Sequence, residues 1–374
     1  MLVAVIWIFV GDAEPQHIWL PAMLWEKILA VGHNHYMNNK SDTLKEIRLE
    51  VTRHCNCKCY FCHNQNTFAK EGRLTKKDLN TEQIKYIIDQ VVLARVPKIR
   101  FTGGEPLTRP DILELIKYAK SKGLQVRLNT NGTLINKNIA ETLKKYADTV
   151  LISVLAIGEE ENDSIVVLRG GFKKKLEAIN NLKGAKPNFL WGCTVVTKKN
   201  IEELEKIADF VYSIGFDYWF CLRQVPSLQD KNPYSFEDCK NLVEKLILIK
   251  EKYPAKYTDG EVLNNAFPFC SYDKNKVNAV AAGAVYGEGH SSLVVDPAGD
   301  VLVDYAYSKK VGNIFKNSLG EIWNSENVKN FRDLKFTPQE CHDCEYFEKC
   351  KGGSRVASLI SNNKIDDKDP LMRT

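Results

Sequence analysis

From residue 44 to about residue 252, short apolar runs rich in β-branched residues alternate with segments whose apolar positions recur every three or four residues. Six runs have the length and composition of strands: 46–51, 98–102, 125–129, 149–153, 190–196 and 218–223. A helical pattern follows each strand, at 81–94, 110–121, 137–145, 171–182, 201–214 and 235–252. In the first of these helices an apolar stripe includes Ile84, Ile88 and Val91, and Thr81 can cap the amino end.

Repeated strand–helix units predict an α/β fold built on a parallel sheet. A closed barrel needs eight such units, so six predict an open, partial (β/α)6 TIM-like barrel over residues 44–255. Beyond it, short strands at 291–295 and 301–303 flank a turn of hairpin length, and short helices are expected near 319–323 and 327–334. Residues 256–374 are therefore predicted to form a small C-terminal α+β domain.

Residues 1–43 are predicted to be an N-terminal extension, whose role the sequence leaves unknown. The apolar run at 2–10 is shorter than the about 20 residues of a membrane-spanning helix, and it lacks the basic start of a signal peptide. We therefore expect no stable membrane insertion and a cytoplasmic protein. An amphipathic segment near 18–31 is expected to pack on the main body.

The composition is that of an ordinary globular protein, with one exception. The 374 residues are 44% hydrophobic and 26% charged, with a net charge of +5 and no basic cluster interleaved with aromatic residues, so we expect no nucleic-acid partner. The exception is a total of 11 cysteines, an odd number that excludes complete pairing into disulfides. Seven of them fall into two clusters far apart in the chain, which suggests two metal sites.

The first cluster follows the first predicted strand. Cys55, Cys59 and Cys62 have the spacing C-x3-C-x2-C, and Cys57 is an extra thiol inside the first gap. Three thiolates on one short loop can hold three corners of a [4Fe–4S] cube and leave the fourth iron open to substrate or cofactor. A zinc ion completed by a nearby histidine is the alternative. Cys57 is predicted not to be a ligand, because the spacing is complete without it.

A second motif ends the second predicted strand. Gly103 and Gly104 allow the backbone to approach a ligand closely, Glu105 offers a carboxylate, and Pro106 stiffens the loop. The next two strands end in polar residues as well, and these are Asn129, Asn131 and Ser153. Carboxyl ends of parallel strands meet at one edge, which is where such folds carry their chemistry.

Together these motifs resemble the radical S-adenosylmethionine (radical SAM) enzymes, whose three-cysteine motif has an aromatic residue before the third cysteine, here Phe61. The resemblance implies that SAM chelates the open iron and is cleaved to a 5′-deoxyadenosyl radical. It also implies that SAM contacts the following residues: Phe61, Gly103, Gly104, Glu105, Pro106, Asn129, Asn131 and Ser153. Val154-Leu155-Ala156 departs from the family pattern after the fourth strand, which weakens the assignment of a ribose contact to Ser153.

The second cluster, Cys341, Cys344 and Cys350, has the spacing C-x2-C-x5-C. With the hairpin before it, this resembles the SPASM or twitch extension of radical SAM enzymes, which binds auxiliary [4Fe–4S] clusters. The family usually has a further cysteine where this chain has Ser354. We therefore predict one auxiliary [4Fe–4S] cluster with Cys270 as the candidate fourth ligand, and a structural zinc is the alternative.

The resemblance implies an enzyme that abstracts hydrogen from a substrate, most often a peptide or protein side chain and otherwise a small molecule. A reduced ferredoxin or flavodoxin is the implied electron donor. An alternative is a GTP 3′,8-cyclase of molybdenum cofactor synthesis, to which the segment 100–109 is similar, although the spacing of the last three cysteines differs from that family. A non-catalytic iron–sulfur or zinc scaffold is the alternative of another class. Arg223, at the end of the sixth strand, is a candidate substrate contact.

Overall fold

The computed structural model describes residues 4–8, 16–20, 43–62, 78–227, 233–258, 260–284, 287, 289–305, 307 and 309–373. The chain forms two compact units, Met1–Asp42 and Thr43–Thr374. In the first unit the strands Ala4–Ile8 (β1) and Gln16–Leu20 (β2) pair antiparallel, with Ile6 opposite Ile18. The predicted amphipathic segment at 18–31 thus starts within a strand, and the rest of it lies outside the described residues.

The second unit is organised around one nine-stranded sheet with the order β11-β10-β9-β3-β4-β5-β6-β7-β8. Its strands are Glu46–Glu50 (β3), Lys98–Thr102 (β4), Gln125–Thr130 (β5), Thr149–Ser153 (β6), Leu190–Val196 (β7), Tyr218–Arg223 (β8), Ser292–Val295 (β9), Asp300–Leu302 (β10) and Gly312–Asn313 (β11). Strands β3 to β8 are parallel and in chain order. The predicted α/β fold with six parallel strands is confirmed.

Helices connect the parallel strands and continue into the C-terminal region. They are Thr81–Leu93 (α1), Ile112–Ser121 (α2), Lys137–Tyr146 (α3), Glu159–Val166 (α4), Gly171–Leu182 (α5), Leu204–Ser213 (α6), Phe236–Lys252 (α7), Lys274–Val280 (α8), Leu319–Asn324 (α9), Glu326–Arg332 (α10), Phe347–Cys350 (α11) and Arg355–Asn362 (α12). The sequence pattern missed α4, because its first six residues are polar and only Ile165 and Val166 near its end are apolar. Among these helices none has both the length and the apolar character needed to cross a membrane.

The barrel strands have two different faces, because successive side chains point to opposite sides. On β3, β4 and β5 the side chains that face the helices are apolar and buried. They are Ile47, Leu49, Ile99, Phe101, Val126 and Leu128. On the other, inner face the same three strands carry arginines, a lysine, glutamates, a threonine, a glutamine and an asparagine. The helices therefore pack on an apolar surface, while the interior of the partial barrel is polar on this side.

The C-terminal region extends the barrel sheet directly. Strand β9 pairs parallel with β3, and the turn to β10 is closed by Asp296, whose carboxylate accepts hydrogen bonds from the backbone N–H groups of Ala298 (2.8 Å) and Asp300 (2.9 Å). One sheet therefore contains strands from both sides of the predicted boundary at residue 255, and the division into domains stays a prediction.

A buried ion pair fastens the end of the chain to the barrel. Arg223 at the end of β8 and Asp369 have side chains that are 2% and 0% exposed, with Nη1 and Oδ1 3.1 Å apart. The Asp369 carboxylate also accepts hydrogen bonds from the backbone N–H groups of Ser354 and Leu371. Arg223 is thus a structural residue, and the expectation that it contacts substrate is wrong.

We expect Asp369→Asn to lower the free energy of unfolding by about 3–5 kcal/mol, because it leaves a buried guanidinium without its counter-charge. Glu203→Gln is the control, since the Glu203–Lys206 ion pair is largely exposed and its loss costs at most about 1 kcal/mol. Chemical denaturation followed by circular dichroism measures both. Equal effects of the two substitutions would contradict the structural role of the buried pair.

Candidate functional site

Backbone hydrogen bonds join the loops after β3 and β4. The N–H of Gly104 donates to the Thr52 carbonyl (2.8 Å), and the N–H of Glu105 donates to the His54 carbonyl (2.8 Å). These contacts continue the pairing of the two strands beyond their ends. The loop that carries the first cysteine cluster is thereby held against the Gly-Gly-Glu-Pro segment.

Both glycines of this segment are sterically required. Gly103 has a φ of +133°, and a Cβ atom on Gly103 or Gly104 would collide with the carbonyl oxygen of Thr52 or His54, respectively. The sequence predicted a close approach of backbone to a ligand at this point. In the structure, the group that comes this close is the chain's own cysteine loop.

One side of the cysteine loop is sealed by apolar residues. Cys55, Cys59 and Phe61 pack against a small buried cluster that includes Leu155, Ile165 and Val166, and the Lys58 N–H donates to the Val166 carbonyl (2.9 Å). The residues Leu155 and Ala156, which depart from the family pattern, belong to this cluster. Helix α4, which the sequence pattern missed, therefore helps to keep water from the thiols.

Cys57 is placed differently from the other three thiols of the loop. It is 3% exposed, and its thiol donates a hydrogen bond to the Cys55 sulfur, which lowers the pKa of Cys55 and, together with burial, raises the pKa of Cys57. The backbone N–H of Cys57 also points to that sulfur, at 3.4 Å. These contacts suit a residue that positions Cys55, and the assignment of Cys57 as a non-ligand stays a prediction.

Lys175 on α5 places a buried cation close to the cysteine loop. It is 2% exposed, and its ammonium donates a hydrogen bond to Asn162 Oδ1 at 2.7 Å. Burial lowers the pKa of Lys175 to about 8, whereas the negative charge of the Cys59 and Cys57 sulfurs acts in the opposite direction. The sequence did not single out Lys175, because it is the last of three consecutive lysines and only the helical phase turns it inward.

Burial and the neighbouring thiols Cys62 and Cys55 raise the pKa of Cys59 to about 12. A thiol whose pKa is raised in this way is protonated on its own, and it ionises when it binds a metal centre. In the ranges given above, no three His, Cys, Asp or Glu side chains converge as the ligands of a single metal ion do. The thiolates of an iron–sulfur cluster bind different iron atoms, so they need not converge in that way.

Glu105 is the centre of a buried hydrogen-bond network. It is 1% exposed, and its carboxylate accepts from the Leu107 N–H (3.0 Å), the Thr130 hydroxyl (2.8 Å) and the Asn131 N–H (2.7 Å). Burial raises the pKa of Glu105 to about 7 in spite of these hydrogen bonds. A carboxylate has about four acceptor positions, so one remains for a ligand such as an ammonium group.

The other predicted SAM-binding residues lie at the same edge of the sheet. Asn131 donates through Nδ2 to Asn56 Oδ1 (2.8 Å), which ties the loop after β5 to the cysteine loop. Pro106 is buried and begins a short 3-10 turn, and Asn129 and Ser153 lie on the inner faces of β5 and β6 near their ends. The sequence did not single out Asn56, because its partner is distant in the chain. The SAM contacts themselves stay predictions.

The four thiols predicted for the auxiliary site also come together. Burial raises the pKa of Cys341, to about 11, and that of Cys350, and in both cases the charge of Cys270 adds to the effect. Cys350 Sγ accepts a hydrogen bond from the N–H of Phe269 at 3.4 Å, and Cys270 interacts electrostatically with Cys344. The structure therefore brings Cys270 to the C-x2-C-x5-C motif, across about 70 residues of chain.

Ser354 has a structural role at the position where the resembling domains carry a cysteine. Its hydroxyl accepts a hydrogen bond from the N–H of Ala357 (3.0 Å) and caps α12, and the residue is 6% exposed. At this position the chain therefore has a helix cap in place of a potential ligand. The number of auxiliary clusters stays a prediction.

Comparison with known proteins gives the class of the molecule. The family model of the radical SAM superfamily matches residues 49–211, and that of SPASM, an iron–sulfur cluster-binding domain, matches residues 287–345. The chain therefore belongs to the radical SAM enzymes with a SPASM domain, as the cysteine spacing predicted. Proteins of this class bind SAM at a [4Fe–4S] cluster and auxiliary iron–sulfur clusters in the SPASM domain.

Two curated relatives are each 28% identical to the chain. An AdoMet-dependent heme synthase of Methanosarcina barkeri matches over 335 residues, which are 86% of this chain and 94% of that protein. The mycofactocin maturase MftC of Mycolicibacterium smegmatis matches over 330 residues, which are 86% of this chain and 80% of that protein. Among solved structures, Streptococcus suis SuiB, which has also been crystallised with the precursor peptide SuiA, has a TM-score of 0.71 at 18% identity over 96% of this chain and 84% of SuiB. The structural likeness supports the partial barrel.

We expect Glu105→Gln to lower the free energy of unfolding by about 1–3 kcal/mol, because the amide NH2 faces backbone donors and at least one hydrogen bond is lost. The pKa of Glu105 is raised from 4.5 to about 7, so the unchanged protein should lose stability as the pH rises between these values, and the variant should lack this part of the pH dependence. Thermal unfolding between pH 5 and pH 8, under anaerobic conditions, measures both effects. The control is Glu141→Gln on the exposed face of α3; an equally small effect of both variants would contradict the network.

Proposed function

We propose that the enzyme cleaves SAM reductively and removes a hydrogen atom from an otherwise unreactive C–H bond of its substrate, a peptide or protein side chain in the first instance. The observation that carries the proposal is the three-cysteine loop held by backbone hydrogen bonds to the Gly-Gly-Glu-Pro segment. The names of the relatives support two substrate classes, since a maturase and SuiB point to peptides and a heme synthase points to a porphyrin. The porphyrin is our second candidate.

Each residue of the site has a role in this proposal. Cys55, Cys59 and Cys62 would hold the [4Fe–4S] cluster, which would supply the electron for the reductive cleavage of SAM. Gly103 and Gly104 fix the backbone that receives the methionine part of SAM, and the free acceptor position of Glu105 faces its ammonium. Lys175 offsets the negative charge of the thiolates, and the apolar side of the loop keeps water out.

The second site is proposed to hold one auxiliary [4Fe–4S] cluster on Cys341, Cys344, Cys350 and Cys270. An auxiliary cluster of this kind transfers an electron or binds substrate. The reductant is proposed to be a ferredoxin or flavodoxin, in a cytoplasm that keeps thiols reduced.

The cyclase alternative loses part of its support in the structure. It rested on the similarity of the segment 100–109, which begins and ends in arginine. Arg109 is paired with Asp111 and donates to the backbone carbonyls of Val51 and Leu79. This arginine has structural partners, so its presence in the segment does not require a triphosphate substrate.

The proposal predicts that anaerobically reconstituted enzyme contains about eight iron atoms per chain, four for each cluster, and no zinc. With dithionite and SAM it should form 5′-deoxyadenosine. Cys59→Ala should lose about four irons and all 5′-deoxyadenosine above background, whereas the matched variant Cys57→Ala should keep its iron. Four irons with one zinc would refute the auxiliary cluster, and product from Cys59→Ala would refute the catalytic one. Consumption of GTP would favour the cyclase.

For the auxiliary site, we expect Cys270→Ala to change the electron paramagnetic resonance spectrum of the second cluster or to lower the iron content by up to about four atoms. The spectrum of the SAM-binding cluster should stay the same. Cys239→Ala, a buried thiol in the core on α7, is the control and should leave the iron content unchanged. If Cys270→Ala behaves like Cys239→Ala, Cys270 is not a ligand.

A further inference from the structure

Three arginines stand side by side on the inner face of the barrel. Arg48 on β3 is the register partner of Arg100 on β4, and Arg100 is the register partner of Arg127 on β5. Their side chains are 12%, 19% and 25% exposed, so solvent reaches them inside the partial barrel. Neighbouring strands lie about 4.8 Å apart, so the three guanidinium groups can act on one small ligand.

One carboxylate serves all three arginines. Glu46 lies 2.8 Å from Arg100 Nη2, 3.4 Å from Arg48 Nε and 3.7 Å from Arg127 Nη1. The inner positions of β3 and β4 also carry Glu50 and Lys98, so the three strands together present four cations and two carboxylates. The charge on this wall is therefore positive.

The other wall of the interior, formed by β6, β7 and β8, is apolar and aromatic. Leu151, Cys193 and Phe220 form a separate buried cluster, against which Trp191, Tyr218 and Leu222 pack. The Trp191 and Tyr218 rings are 5.1 Å apart, and the Arg127 guanidinium lies 5.1 Å from the Trp191 ring. The cationic and aromatic walls thus meet at Arg127 and Trp191.

Trp191 adds a hydrogen-bond donor at this junction. Its indole Nε1 is buried and has no hydrogen-bond partner within the described part of the chain. A buried N–H without an acceptor costs about 1–3 kcal/mol, so it suits an acceptor that arrives with a ligand. The arginines and the indole N–H all favour an anionic acceptor.

The position relative to the SAM site also suits a substrate. Arg127 precedes Asn129 on the same face of β5 by two residues, which is about 7 Å along the strand. The arginines therefore lie one side-chain layer below the strand ends that carry the predicted SAM contacts. A ligand held there would extend upward to the site of hydrogen abstraction.

We propose that the barrel interior binds the substrate through a carboxylate on Arg48, Arg100 and Arg127, with the apolar part of the substrate against Trp191, Tyr218 and Phe220. This inference rests on the proposed function for its reaction and narrows the substrate to carboxylates with an apolar or aromatic body. Both substrate classes can meet this requirement, a peptide through its carboxylates and a coproporphyrin through its propionates.

Isothermal titration of the anaerobically reconstituted enzyme, with two pairs of probes, tests the proposal. N-acetyl-tyrosine is compared with N-acetyl-tyrosinamide, and coproporphyrin III with its tetramethyl ester. At least one acid should bind about tenfold or more tightly than its neutral counterpart, and the pair that shows the preference identifies the peptide or the porphyrin source. Arg127→Gln should remove most of this preference, and Trp191→Phe, which keeps an aromatic ring, should weaken acid binding about threefold or more.

Arg95→Gln, at an exposed arginine after α1, is the matched control and should bind like the unchanged enzyme. The proposal is overturned if neither acid binds better than its neutral counterpart, or if Arg127→Gln and Trp191→Phe both bind like Arg95→Gln. Formation of 5′-deoxyadenosine by the unchanged enzyme is measured in the same preparation. If the acids bind but no 5′-deoxyadenosine forms, the proposed function fails and the carboxylate site stands.

Discussion

The catalytic end of this molecule depends on two backbone hydrogen bonds, from Gly104 to Thr52 and from Glu105 to His54. They hold the cysteine loop against the loop after β4, and they form only because neither Gly103 nor Gly104 carries a Cβ atom. Further hydrogen bonds at this edge of the sheet extend the connection to a third loop. The carboxylate of Glu105 then joins the loop after β5, and Asn131 joins that loop to Asn56. Three loops from three strands thus become one rigid support.

Buried charge is the second constraint, and each buried charged side chain has polar or oppositely charged partners. An isolated charge is costly in the interior, whereas a charge with partners is tolerated. Arg223 has Asp369, Glu46 has three arginines, and Lys175 has Asn162 and the cysteine loop. In the first two cases the partners are side chains of the protein itself. For Lys175 the matching negative charge would be that of the proposed thiolate-bound cluster, which would link the stability of the site to its loading.

The sequence predicted the six parallel strands, the helix after each, and the class of enzyme, because these depend on local periodicity and on cysteine spacing. It missed α4, whose first six residues are polar and whose apolar residues Ile165 and Val166 pack under the cysteine loop. It also missed Lys175 and Asn56, and it gave Arg223 the wrong role. In each case the decisive partner is distant in the chain, so only the folded structure shows it.

The two ends of the barrel interior are built by different means. At the strand ends, loops joined through backbone groups and two obligatory glycines form the proposed SAM site, where a side chain at either glycine position would collide with the cysteine loop. One layer below, the walls consist of side chains at alternate strand positions, which point inward whatever their identity. Replacing Arg48, Arg100, Arg127 or Trp191 would alter charge and shape inside the barrel without moving the backbone above. The interior side chains can therefore set the choice of substrate independently of the backbone that supports the proposed SAM site.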